Sequence, residues 1–170
     1  MQRPESIEYA EFYAGYVSAV PETDIVGVLA AQPDELAAVI GGLPEENGHY
    51  AYADGKWTIK ELLGHVADGE RVFGYRAHRI SHGDATPLSS FDQDLYVSNG
   101  RANLRGMEDI VEEFASIRQA NVIMLRTLRD ADWNLAGTAS DAHVTVRAIA
   151  YIMAGHVRHH MAILRDRYLV

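Results

Sequence analysis

The sequence predicts an all-α protein, an antiparallel four-helix bundle with a short N-terminal helix and one long crossover loop. Three observations predict it. Segments near residues 24–41, 58–82, 107–130 and 145–167 repeat apolar residues at the i, i+3, i+4, i+7 spacing of an amphipathic helix. Capping residues, Gly and Pro punctuate these segments, and the stretch from Gly83 to Arg105 has no helical period. The 170 residues, 48% hydrophobic and 23% charged, suit one domain spanning 1–170 that buries its own core.

The elements follow in order. Tyr9, Phe12, Tyr13 and Tyr16 share one face of a short N-terminal helix, which packs on the bundle or lets Tyr13 or Tyr16 overhang a pocket. Asp24 opens the first long helix and Gly41-Gly42 closes it, with Pro33 expected to kink or split it. The second has the best start signal in the chain. Thr58 and Glu61 form a capping box, and Trp57 with Leu62 a hydrophobic staple. The crossover from Gly83 to Arg105 is expected to cross one end of the bundle. Glu108 and Asp109 suit the first turn of the third long helix, and Thr145 is the expected N-cap of the last.

Eight histidines and no cysteine set the chemistry. Without Cys there are no disulfides, thiolate nucleophiles or Cys-ligated zinc, so a metal site must use His and carboxylate. His156 and His160 lie four residues apart, on one face of the last helix and inside its apolar stripe. His65 lies at the edge of the stripe on the second helix. If those helices are neighbours, three imidazoles meet with a coordination position left open, the pattern of a catalytic site for zinc, nickel, iron or manganese. The same residues also suit three hydrogen-bonded core histidines, and spacing alone leaves both readings open. His78 and His82 repeat the spacing, yet fall opposite the apolar stripe and read as surface residues at a helix C-terminus.

Val157 stands where a zincin would place its general-base Glu, which disfavours peptide hydrolysis by that route. Asp68, one turn beyond His65, is the candidate to orient an imidazole or take a proton, with an exposed ion pair as its other reading. A net charge of −9 with dispersed arginines argues against nucleic acid, and the lack of a long apolar run or signal pattern leads us to expect a soluble cytoplasmic protein.

Three stretches, YADGKWTIKELLGHVADGERVF, TPLSSFDQDLY and AGHVRHHMAILRDRY, resemble the DinB superfamily, in particular its YfiT-like metal-dependent hydrolases. The resemblance runs from about Pro21 to Tyr168. It implies an up-down-down-up bundle holding a divalent ion, zinc first among the candidates, on His65, His156 and His160, with His159 a recurrent histidine that is not a ligand. Some superfamily members are thiol transferases or isomerases using bacillithiol or mycothiol, so a low-molecular-weight thiol is a further expectation. Tyr16, Asp92 and Tyr96 are expected to shape the pocket around a small-molecule substrate, and a homodimer is expected. The alternative is a non-catalytic, metal-stabilised bundle that serves binding or stress response.

Overall fold

The computed structural model describes residues 2–169. Six α-helices carry the fold: α1 (Ala14–Ser18), α2 (Ile25–Ile40), α3 (Ile59–Ser81), α4 (Gln93–Asn99), α5 (Met107–Arg126) and α6 (Val146–Ile163). The four long ones form the bundle. Helix α3 packs on α5 and α6, and α2 packs on the same two. Side-chain partners give the directions. Glu70 and Gly74 of α3 meet Arg118 and Asn121 of α5, a parallel pair, whereas His65 and Phe73 of α3 meet His160 and His156 of α6 in antiparallel order. Gln32 of α2 meets Ala154 of α6. The order is therefore up-down-down-up, and the parallel α3 and α5 require the long crossover.

Local chemistry explains the boundaries. The Thr58 side chain accepts from the Glu61 amide at 3.1 Å, the Glu61 carboxylate accepts from the Thr58 amide at 2.8 Å, and Thr145 and Asp24 cap α6 and α2. Pro33 does not split α2. A proline frees the carbonyl four residues earlier, here that of Leu29, and Arg118 donates to that oxygen at 3.4 Å. Helix α5 ends at Arg126, four residues short of the predicted end, and α6 runs into a single π turn, Leu164–Tyr168.

Two expectations need correction, and one element was not expected. The aromatic cluster is not one helical face, because 3₁₀ turns at Ser6–Glu8 and Glu11–Tyr13 precede a five-residue α1, leaving Phe12 exposed. The crossover holds α4, whose N-cap is Asp92, where no helical period was legible. The link before α6 forms a hairpin, β1 (Ala136–Ala139) and β2 (Ala142–Thr145), turning through Ser140 and Asp141 with φ of 52° and 59°. Crossover residue Leu88 bridges alongside Ala139. Among the described residues no helix is long and apolar enough to cross a membrane.

A polar cluster ties all four long helices together inside the apolar core. Arg118, fully buried, donates to Glu70 at 2.7 Å and to Gln32 at 2.5 Å. Gln32 donates to the Ala154 carbonyl at 2.7 Å, and Asn121 to Glu70 at 2.6 Å. No sequence motif marks it. Gln32, Glu70 and Arg118 each sit in register with apolar neighbours such as Leu29 and Leu36, Val66 and Phe73, or Phe114 and Leu125, and that register was the available signal.

Candidate metal centre

Helices α3 and α6 bring His65 against His156 and His160, all at most 7% exposed. One ring nitrogen from each lies within 4.8 Å of the others, and the Nε2 atoms of His65 and His156 are 2.9 Å apart. The backbone is shaped around these rings. A Cβ on Gly69 would stand 2.7 Å from Cε1 of His156, and one on Gly155 would run into the Tyr16 carbonyl, so α1 can cross α6 only over glycine. Nothing in the sequence marks the contribution of Gly69.

Burial pushes the His65 imidazole down to about 4, and holds His156 and His160 well below the usual histidine range. All three are therefore neutral at pH 7, the state in which an imidazole nitrogen binds a metal ion. Their donor inventory also fits an ion better than a packed core. Nδ1 of His65 and of His160 are buried without a hydrogen-bond partner, whereas core histidines are normally satisfied. Three neutral nitrogens suit zinc and other late divalent ions. No fourth His, Asp or Glu joins the cluster among the described residues.

Around the cluster, the Trp57 ring lies 4.8 Å from that of His65, and Tyr16 lies 5.6 Å from His156 and 5.4 Å from His159. His159 is exposed, on the flank of the cluster. A cavity of about 250 Å³ opens beside His65, bounded by Asp68, Arg71, Tyr96 and Glu113 among others. Burial raises the Asp68 carboxyl above its ordinary value, opposed by Arg71, 3.6 Å away. Asp92 is not among the residues lining this cavity, and its carboxylate caps α4, accepting from the Asp94 and Leu95 amides at 3.0 Å. The negative charge of Asp94, on the same turn, acts on His65. His78 and His82 stand exposed at the far end of α3, with His82 Nδ1 2.7 Å from the His78 carbonyl oxygen.

The family model of the DinB superfamily matches residues 29–164, which include all three histidines. The chain belongs to the DinB superfamily. Two relatives carry the name "Putative metal-dependent hydrolase". One, from Geobacillus thermodenitrificans, is 19% identical over 139 residues, covering 81% of this chain and 78% of the relative. The other, from Geobacillus kaustophilus, is 22% identical over 156 residues, covering 89% and 84%. The solved structure of YfiT from Bacillus subtilis, described as a probable metal-dependent hydrolase with an unusual four-helix bundle topology, matches with a TM-score of 0.77 at 18% identity. That match covers 84% of this chain and 82% of YfiT, and it shows the same four-helix-bundle fold.

Proposed function

We propose that this DinB-superfamily protein is a divalent-metal-dependent hydrolase acting on a small molecule, with His65, His156 and His160 as the metal ligands. One observation carries the reading: three buried, neutral imidazoles from two helices present ring nitrogens within 4.8 Å of one another, beside a cavity. An ion bound there would supply Lewis acidity, lowering the pKa of a water or thiol or polarising a carbonyl. The names of the two Geobacillus relatives support hydrolysis. Zinc is the first candidate ion and nickel the second, on the nitrogen-only donor set.

The chain's own residues have distinct parts. His65, His156 and His160 bind, and burial keeps them unprotonated. Asp68, half-buried on the cavity wall with a raised carboxyl pKa, holds or takes the proton. Tyr16 packs against the His156 ring and Trp57 against the His65 ring, limiting how far these imidazoles can turn. Tyr96 borders the space for substrate.

The test is turnover of an ester and amide panel by the metal-loaded protein, with and without a low-molecular-weight thiol. Thiol-independent hydrolysis, lost in His160→Ala and reduced about 10²-fold or more in Asp68→Asn at unchanged metal content, is the expected result. Turnover of an electrophile only when thiol is present would reassign the site to thiol transfer. Metal-dependent stability with no turnover under any condition would leave a stapled, non-catalytic bundle.

A further inference from the structure

The His65 ring lacks the usual anchor. A metal-binding imidazole ordinarily donates its second N–H to a carboxylate, a carbonyl or a water, and that bond sets the orientation of the ring. Nδ1 of His65 is buried with no partner among the described residues, and the contact between its Nε2 and that of His156 only joins one candidate ligand to another. Packing must then hold this imidazole. Among the described residues three aromatic rings lie against it: those of His156 and His160, with centres 4.9 and 4.8 Å away, and that of Trp57, 4.8 Å away and inclined by 45°. Trp57 is the one of the three that is not itself a candidate ligand.

No helix holds Trp57. It precedes Thr58, the N-cap of α3, in a stretch, 50–58, without regular secondary structure. Its fastening comes from the other end of the chain, where the Tyr168 hydroxyl donates to the Trp57 carbonyl at 2.7 Å. The Tyr168 ring, only 8% exposed, stands edge-on to Tyr52 at 5.0 Å and to Tyr50 at 6.1 Å, in the same stretch. Tyr168 is the last residue of the π turn that follows α6, a turn closed by the Leu169 amide on the Leu164 carbonyl at 3.1 Å. Such turns are rare and occur frequently at functional sites. The helix that supplies His156 and His160 thus also grips, through its last turn, the loop packed on the third histidine.

We infer that Tyr168 is a positioning residue for His65: its hydroxyl fixes the Trp57 backbone, and the Trp57 ring, so placed, fixes the imidazole. The bonded carbonyl belongs to the planar peptide joining Trp57 to Thr58, and the capping box already pins Thr58. The Tyr168 bond therefore restrains the rotation that would swing the Trp57 side chain off His65. As a statement about metal affinity this rests on the proposed metal site; as a statement about the His65 ring it stands without it.

The competing account is that Tyr168 only ties the C-terminal turn to the loop. Zinc affinity of the untagged full chain, measured by competition with a chromophoric chelator, separates the two. Trp57→Leu should weaken zinc binding about tenfold, and Tyr168→Phe, which keeps the ring and loses only the hydroxyl, about threefold or more. The double variant should bind no more weakly than Trp57→Leu alone, because the hydroxyl acts through the indole. Tyr151→Phe is the matched control: it removes another buried tyrosine hydroxyl contact of α6, to the Glu22 carbonyl at 2.8 Å, and should leave zinc affinity unchanged. Unchanged affinity in Tyr168→Phe, or a loss as large in the Trp57→Leu background as in the parent chain, would overturn the proposal. A parent chain that holds no zinc would remove the metal site, and the ring itself then decides. In NMR spectra of the metal-free protein the His65 ring signals should be broader from exchange in Tyr168→Phe than in the parent or in Tyr151→Phe, and equal widths in all three would overturn the proposal.

Discussion

At the residue scale, the proposed site depends as much on what is missing as on what is present. Gly69 has no side chain because the His156 ring occupies that space, and Gly155 has none because the α1 backbone does. Gly69→Ala should therefore displace the His156 ring and weaken metal binding about tenfold, the scale seen when the supports of a ligand are disturbed. Competition with a chromophoric chelator would measure it, and an unchanged affinity would mean the ring has room to move. The two histidines of α6 were legible because spacing and apolar register agree. His65 needed the extra premise that α3 and α6 are neighbours.

At the element scale, start signals were the most readable features and interruptions the least. The Thr58 capping box is present, and it does more than cap, because Thr58 Oγ1 donates to Asn103 at 2.8 Å and Asn103 donates to Glu61 at 3.0 Å. Thr58→Ala should cost about 1 kcal/mol from the cap, lowering Tm by roughly 2–4 °C in a chain of this size. A scanning calorimetry trace with no shift would show the cap to be redundant. Helix α4 and the hairpin escaped prediction for a physical reason. Helix α4 has two turns, too few to establish a period, and the hairpin turns through Ser140-Asp141 instead of the Asn-Gly or Asp-Gly that advertise a tight turn. Pro33, expected to kink or split α2, leaves it continuous from Ile25 to Ile40, because the freed Leu29 carbonyl accepts from Arg118 of α5, far away in sequence.

At the scale of the whole molecule, Arg118 and its partners act on registry. The charge pair with Glu70 is buried, so removing one member leaves the other without compensation, and Glu70→Ala should lose about 3–5 kcal/mol by urea unfolding. A loss under 1 kcal/mol would show that the core rearranges around a lone guanidinium. The histidines set a second global property. Their folded pKa values lie below the unfolded value of 6.5, so as pH falls the unfolded chain takes up protons first. Metal-free protein should hold its full stability above pH 6.5 and lose it as pH falls toward 4, each histidine contributing up to about 1.4 kcal/mol per pH unit. Thermal unfolding between pH 7.5 and 5 in chelator would show this slope, and His65→Phe should flatten it.

The central claim is that these three imidazoles share one ion. Elemental analysis of untagged protein loaded with zinc and desalted tests it, in a His78→Ala/His82→Ala background that removes the exposed histidine pair. The account predicts one equivalent of metal per chain, falling below one tenth in each of His65→Ala, His156→Ala and His160→Ala. Metal retained in all three variants, or no metal held before substitution, would contradict it.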